Sequence, residues 1–194
     1  MKNTWTTIAI LAMAAGLASQ WGCDQKDGAY PSSQSQGPSK GDSAPSAQAD
    51  DFFLDSAAQA NLAEVKQGQI AESRSANAEV KKFAKHMIED HSQANSELLD
   101  LAKQKAIPVS QKPDRAHETA AEDLKSLSGA ELDRAYVKRM VDDHVSAVAL
   151  FEKFAEQASD PDIRTFAQKT LPVLRKHLTM ARDLNEKVSG PSTP

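Results

Sequence analysis

Histidine recurs at inward-facing positions in three separate helical patterns of this sequence. Between Val80 and Ala102 the apolar residues repeat in alternating steps of four and three, and His91 occupies a position that should face the core of a helix bundle. His144 and His177 fill equivalent positions in two later apolar stripes. An imidazole can ligate a metal ion or hydrogen-bond to a carboxylate. The spacing therefore predicts a polar layer inside an otherwise apolar core.

Carboxylates accompany these histidines. Asp90 directly precedes His91, Asp143 directly precedes His144, and Glu64 interrupts a stripe of small residues in the first predicted helix. Facing helices of a bundle are where side chains build metal sites. Nitrogen and carboxylate ligands suit zinc, iron, manganese or copper, so this mixture indicates a transition metal without selecting one.

The candidate ligands lie near the middles of their helices. If the four helices alternate strictly up and down, two residues on neighbouring helices differ by about three residues in their distance from the turn that joins those helices. Three residues of an α-helix span roughly 4–5 Å along its axis. We therefore predict one layer of metal ligands formed by Glu64, His91, His144 and His177. Asp90 and Asp143 would flank it as acceptors that orient the imidazoles.

The same residues have a second interpretation that needs no metal. Buried polar groups must be hydrogen-bonded, and histidines and carboxylates can satisfy one another. The layer would then fix the helix register of a non-enzymatic structural or interaction protein of the cell envelope, whose outer surface binds a partner. Outside the layer, His86 reads as an exposed residue of the second helix, and Asp114 with His117 as a solvated loop pair.

Four long helices must position the layer. The patterns predict them at about residues 50–75, 77–107, 128–157 and 160–188, with a short extra helix at 115–127 in the connection between the second and third. Asp50 or Asp51, Asn77, Ser128 and Asp160 are the expected N-terminal caps. The break between the first two helices is so short that they should form an antiparallel hairpin. The predicted fold class is all-α, an antiparallel up-down four-helix bundle.

The N-terminal segment predicts export. Lys2 supplies a positive start, and the uncharged run from Ile8 to Leu17 is too short to span a bilayer. Gly22-Cys23 resembles the end of a bacterial lipobox, which predicts a lipid anchor on Cys23. Cleavage by a general signal peptidase, giving a soluble periplasmic protein, is the alternative.

The chain divides into four parts by composition. We predict a signal peptide at 1–22, a disordered tether at 23–49, the helical bundle at 50–188 and a disordered tail at 189–194. The predicted location is the periplasm or, for the anchored lipoprotein, an envelope membrane such as the outer membrane. Membrane contact is expected through the lipid anchor alone.

Composition also excludes several classes of function. The formal net charge of −4 gives no reason to expect nucleic-acid binding. The single cysteine excludes a disulfide framework and a cysteine zinc cluster. Nothing resembles a hydrolase nucleophile elbow, so the sequence predicts no catalytic residues and favours a protein that is not an enzyme. It does not specify a protein partner.

Several motifs together resemble a known family. They are Val80-x-x-Phe83-Ala84, Met87-Ile88-x-Asp90-His91, Met140-Val141-x-Asp143-His144 and Leu171-Pro172-x-Leu174-x-x-His177. Over about residues 51–184 the chain resembles a bacterial domain-of-unknown-function family of exported or outer-membrane proteins, grouped with ferritin-like four-helix bundles. The resemblance implies that fold and an envelope location, and no established activity. Because the sequence contains no Glu-x-x-His, a ferritin-type di-iron centre is not expected.

Overall fold

A computed structural model describes residues 46–190, and this part of the chain contains five α-helices and no strand. The helices are α1 (Ala47–Arg74), α2 (Ala78–Gln104), α3 (Arg115–Ser126), α4 (Gly129–Gln157) and α5 (Pro161–Ser189). The predicted all-α class is confirmed. None of these helices is both long and apolar enough to cross a membrane. The predicted signal peptide, Cys23 and most of the tether lie outside the described residues.

Two of the four predicted N-terminal caps are present in the structure. The side chain of Asn77 accepts hydrogen bonds from the first backbone amides of α2, and that of Asp160 does the same for α5. The hydroxyl of Ser128 makes no such bond, because Gly129 follows it with a φ of 54°, outside the helical geometry that a capping box requires.

Asp50 is buried inside α1 rather than capping it. The helix begins three residues earlier, at Ala47, and the Asp50 carboxylate accepts hydrogen bonds from the backbone amides of Ser159 and Asp160. These amides belong to the connection between α4 and α5. The expected local cap is therefore wrong, because a neighbouring segment supplies the donors instead.

Each long helix packs against two others. α1 contacts α2 and α4, α5 contacts α2 and α4, and α3 lies mainly on α1. α1 and α2 approach closely at Gly68, where an added Cβ would lie 2.9 Å from the Ile88 side chain and 3.3 Å from the Ala84 carbonyl oxygen. Two apolar clusters fill the core, one around Phe53, the other around Tyr136.

Contacts at the helix ends give the directions of α2 and α5. Lys105, just after the end of α2, binds Asp162 at the start of α5 at 2.6 Å. Lys187, near the end of α5, binds Glu79 at the start of α2 at 2.8 Å. The two helices are therefore antiparallel.

The same reasoning makes α1 antiparallel to α4. Arg74 at the end of α1 donates to the Leu127 carbonyl just before α4, at 2.9 Å. The start of α1 meets the segment after α4 through Asp50. It follows that α2 and α4 run in the same direction, so the strict up-down alternation expected from the sequence is wrong across the long connection. That connection contains α3 and can return to the opposite end, whereas only a short loop forces neighbouring helices to be antiparallel.

Candidate metal centre

The four residues predicted to form the layer come together in the core. Glu64 comes from α1, His91 from α2, His144 from α4 and His177 from α5, and none is more than 3% exposed. The centroids of the three imidazole rings lie 5.3–5.4 Å apart. One helical position from each long helix therefore contributes to a single polar cluster.

The three histidines offer nitrogen atoms that lie close enough together to bind one ion. His144 Nε2 lies 3.4 Å from His177 Nδ1 and 3.6 Å from Glu64 Oε2. Two ligands at metal–nitrogen bond lengths in a tetrahedral site stand about 3.3 Å apart. One nitrogen from each histidine lies within 4.8 Å of the others. His91 Nε2 and Glu64 Oε2 are closer, at 2.7 Å, which is the distance of an ion pair.

Partners outside the cluster fix the tautomers of two rings. His144 Nδ1 is 2.9 Å from the Met140 carbonyl oxygen, so Nδ1 carries the hydrogen. His177 Nε2 is 2.8 Å from Asp90 Oδ2 and donates to that carboxylate. Neutral His144 and His177 therefore each turn an unprotonated nitrogen towards the other. This is the outer support that metal-ligating histidines have in proteins.

His91 is held by a third kind of partner. Its Nδ1 lies 2.9 Å from Asn61 Oδ1, one helical turn before Glu64 on α1. The remaining nitrogen, Nε2, faces Glu64. Asn61 lies three residues before Glu64, on the same face of α1, and its role as the His91 partner was not predicted from the sequence.

The charges of the layer are set by burial and by the groups facing each other. Burial alone would raise the pKa of Glu64, but the attraction of His91 and His144 lowers that pKa to about 2. Burial alone would lower the pKa of His91, but Glu64 raises it above its usual value. Burial lowers the pKa of His144, and burial with repulsion from His91 lowers that of His177 to about 4. At neutral pH the layer holds one carboxylate and two neutral imidazoles, and the Glu64 charge favours the protonated form of His91.

Two atoms of the layer lack an aligned hydrogen bond among the described residues. They are Glu64 Oε2 and His91 Nε2, which stay unsatisfied as hydrogen-bonding atoms although they lie 2.7 Å apart. Their contact is an ion pair with poor N–H alignment. Buried polar atoms without aligned partners are uncommon in proteins, and a cation between the nitrogens and the carboxylate would supply the missing partner.

Of the two aspartates, only Asp90 accepts a hydrogen bond from an imidazole of the layer, as expected from the sequence. Its partner is His177 on α5 rather than its neighbour His91. Asp143 lies 3.8 Å from Arg139 on its own helix, while the Met140 carbonyl takes the hydrogen of His144. Both outcomes have one cause, since adjacent residues of a helix point about 100° apart and so cannot face the same spot.

A cavity of about 280 Å³ opens beside the layer. Its walls include Glu64, His91 and His177, together with Asp143 and His117. Burial and repulsion from Glu64 raise the pKa of Asp143 to about 6. The cavity therefore lies directly against three of the four residues of the layer. His117, read from the sequence as a solvated loop residue, is half-buried in this wall.

His86 also differs from expectation. It is half-buried, its Nε2 lies 3.4 Å from Asp90 Oδ2, and its ring centroid is 5.4 Å from that of His177. The signal that could have found it is its spacing, since His86 and Asp90 are four residues apart on one helix face.

The helices and the histidine layer together define an all-α protein with a candidate metal centre at mid-helix. The chain belongs to the family described as "Domain of unknown function (DUF4142)", whose sequence profile matches residues 35–184. The predicted membership in a bacterial domain-of-unknown-function family is therefore confirmed. A search of the curated proteins found no significant match.

Solved structures share the fold. A DUF305 fragment from Deinococcus radiodurans matches with a TM-score of 0.62 at 16% identity, covering 70% of this chain and 94% of the other. A Streptomyces coelicolor DUF305 protein described as secreted matches with a TM-score of 0.63 at 15% identity, covering 75% and 96%. CopM in its Cu(II)-bound form matches with a TM-score of 0.60 at 15% identity, covering 71% and 96%. At these identities the likeness concerns the fold alone.

Proposed function

We propose that this protein binds a divalent transition metal ion, copper first, through Glu64, His91, His144 and His177. One observation carries the proposal: His144 Nε2 and His177 Nδ1 face each other at 3.4 Å, and the outer partners leave both nitrogens unprotonated. Two facing lone pairs in a buried site repel each other. A cation between them turns that repulsion into two bonds.

The metal-free interpretation explains only half of the layer. His91 and Glu64 lie 2.7 Å apart and can balance each other's charge, and Asn61 satisfies the other His91 nitrogen, so charge alone does not require an ion in this half of the layer. The other half is different, because a structural network would place a hydrogen between His144 and His177. The depressed pKa values of both rings oppose that extra proton.

Copper is the first ion to test. Among divalent first-row ions Cu(II) binds nitrogen and oxygen ligands most tightly. One protein of the same fold is known in a Cu(II)-bound form. Zinc, iron and manganese are the comparison ions. The proposed role is holding or handling the metal, and no chemical step on a substrate is part of it.

We further propose that the four long helices form a ferritin-like four-helix bundle. The helix contacts close a ring in the order α1, α2, α5, α4. α2 and α4 run in the same direction and are joined by one long crossover, which is the connection that ferritin-like folds use. A metal centre at mid-bundle fits this architecture.

Export through residues 1–22, lipidation of Cys23 and a tether that ends where α1 begins at Ala47 complete the proposal. They rest on the sequence, and one protein of the same fold is described as secreted. Mass spectrometry of the protein extracted from membranes tests the anchor. A diacylated N-terminal Cys23 is expected, and an unmodified N-terminus on either side of Cys23 would rule the anchor out.

Metal analysis of the tag-free protein tests the central proposal. We expect one equivalent of Cu(II) after loading and desalting, lost in His144→Ala and kept in His117→Ala. His117→Ala is a matched control, since it removes a half-buried histidine of the same cavity wall that is not a proposed ligand. A folded wild-type protein that retains no copper, zinc, iron or manganese would leave the metal-free network as the function of the layer.

A further inference from the structure

A second cluster of possible ligands lies on the solvent side of His177. Asp90 Oδ2 is 2.8 Å from His177 Nε2 and 3.4 Å from His86 Nε2. The side chains of His86 and Asp90 are 31% and 32% exposed, whereas that of His177 is 1% exposed. The cluster therefore joins the surface between α2 and α5 to the buried layer.

This cluster contains more possible ligands than an ordinary pair of residues on a helix surface. His86 and Asp90 are four residues apart and share one face of α2. A pair of this kind alone would be unremarkable on a helix surface. Here a third donor comes from another helix, and one ligand atom from each of the three residues lies within 4.8 Å of the other two.

The nitrogen of His86 in this cluster has no other use. His86 Nε2 is buried and has no hydrogen-bond partner among the described residues, although the ring itself is partly exposed. Two imidazole nitrogens and one carboxylate oxygen form a donor set suited to borderline divalent ions. The open side leaves room for water to complete the coordination.

We propose that His86, Asp90 and His177 form a second, outer site for a divalent transition metal ion, contiguous with the buried site. His177 would use Nδ1 inward and Nε2 outward, so one ring would serve both ions. The sharing of His177 rests on the proposed function, whereas the outer donor set stands independently of it.

Filling both sites has a defined proton balance. In the metal-free protein His177 Nε2 carries the hydrogen that Asp90 accepts. A second ion takes the place of that hydrogen, the proton leaves to solvent, and His177 becomes an imidazolate between two cations. The outer site fills second, because it is more exposed and because the first ion repels the second.

Titration of the full protein with Cu(II), followed by electron paramagnetic resonance, tests the outer site. In the wild type we expect a second, weaker equivalent, and its addition should reduce the total signal because the two copper spins couple through the shared imidazolate. His86→Ala should bind one equivalent with unchanged affinity. His117→Ala should keep both equivalents, since this half-buried histidine lies outside the cluster.

Three results would overturn the outer site. They are a wild type that saturates at one equivalent unaffected by His86→Ala, a second equivalent that survives His86→Ala, and a second equivalent that adds a full, uncoupled signal. His144→Ala separates this inference from the proposed function. Failure of the proposed function would appear as binding unchanged by His144→Ala, and a His86-dependent equivalent in that case would still support the outer site.

Discussion

His144 Nε2 and His177 Nδ1 lie 3.4 Å apart in the core, and each ring gives the hydrogen of its other nitrogen to an acceptor outside the pair. The Met140 carbonyl holds one ring and the Asp90 carboxylate holds the other. The two facing nitrogens are thus held unprotonated by groups on α4 and α2. The expected effects of the Asp90 and His144 substitutions on metal binding follow from this arrangement.

Loss of Asp90 should weaken the first metal equivalent. Without the carboxylate, His177 is free to place its hydrogen on Nδ1, which then no longer binds an ion. We expect Asp90→Ala to reduce the affinity for the first Cu(II) by about 10–100-fold. Competition with a chelator of known affinity measures this. Glu89→Ala removes the exposed carboxylate beside it as a control, and equal affinities in the two variants would contradict the role of Asp90.

Glu64 should make the stability of the metal-free protein depend on acid. Its pKa falls from 4.5 to about 2 in the folded protein, so the folded state binds fewer protons than the unfolded state in this range. The stabilisation is present above pH 4.5 and is lost as the pH falls towards about 2. Urea unfolding at pH 7 and at pH 3 measures the loss.

The Glu64→Gln variant separates the contribution of Glu64 from the general loss of stability in acid. Glu64→Gln should lower the free energy of unfolding by about 1–3 kcal/mol at pH 7, because His91 loses its charged partner. The difference from wild type should narrow at pH 3. Glu72→Gln, about two turns further along α1, is the control. A Glu64→Gln protein that stays equally far below wild type at both pH values would show that Glu64 acts by packing alone.

The close approach of α1 and α2 predicts that Gly68 tolerates no side chain without cost. An added Cβ would lie 2.9 Å from Ile88 Cγ1 and 3.3 Å from a backbone oxygen, so the helices must move apart or Ile88 must rotate. We expect Gly68→Ala to destabilise by about 1–3 kcal/mol in thermal or urea unfolding. This outweighs the roughly 1 kcal/mol that alanine gains in a helix. Gln69→Ala, exposed on the same helix, should change little, and a stabilising Gly68→Ala would contradict the packing.

Helix direction can be tested by cysteine pairs in a Cys23→Ser background. Glu79→Cys with Lys187→Cys should be joined by a short thiol-specific crosslinker, because the side chains at these positions meet where α2 begins and α5 ends. Glu79→Cys with Asp162→Cys should not be joined, since antiparallel helices place those residues at opposite ends. Gel mobility distinguishes the two. The reverse result would restore the up-down alternation expected from the sequence.

The layer was correctly predicted from the sequence, although the directions predicted for α4 and α5 relative to α1 and α2 were wrong. The three histidines and Glu64 lie near the middles of their helices, and the middle of a helix stays at the same height when the helix is reversed. The spacing of the apolar residues in α2, α4 and α5 was enough to identify the three histidines that face the core. The starts of α2 and α5 could also be predicted from the sequence, because the side chains of Asn77 and Asp160 cap them.

The sequence could not supply the partners of the rings. That Asp90 reaches across to His177, that the Met140 carbonyl serves His144 and that Asn61 serves His91 depend on how far each helix is rotated against its neighbours. The spacing of apolar residues shows which face of a helix is buried, but it gives the rotation of the helix about its own axis only coarsely. The contact of His86 with His177 was not predicted for the same reason, since it depends on the packing of α5 against α2.

The most direct test of the metal centre is the coordination of the first copper ion. Pulsed electron paramagnetic resonance of the full protein loaded with one equivalent of Cu(II) detects the nitrogens bound to the ion. We expect couplings from three imidazoles in the wild type and the loss of this three-imidazole signal in His144→Ala, which does not retain the ion. A wild-type signal without imidazole nitrogen, or one unchanged by His144→Ala, would contradict the proposed metal centre.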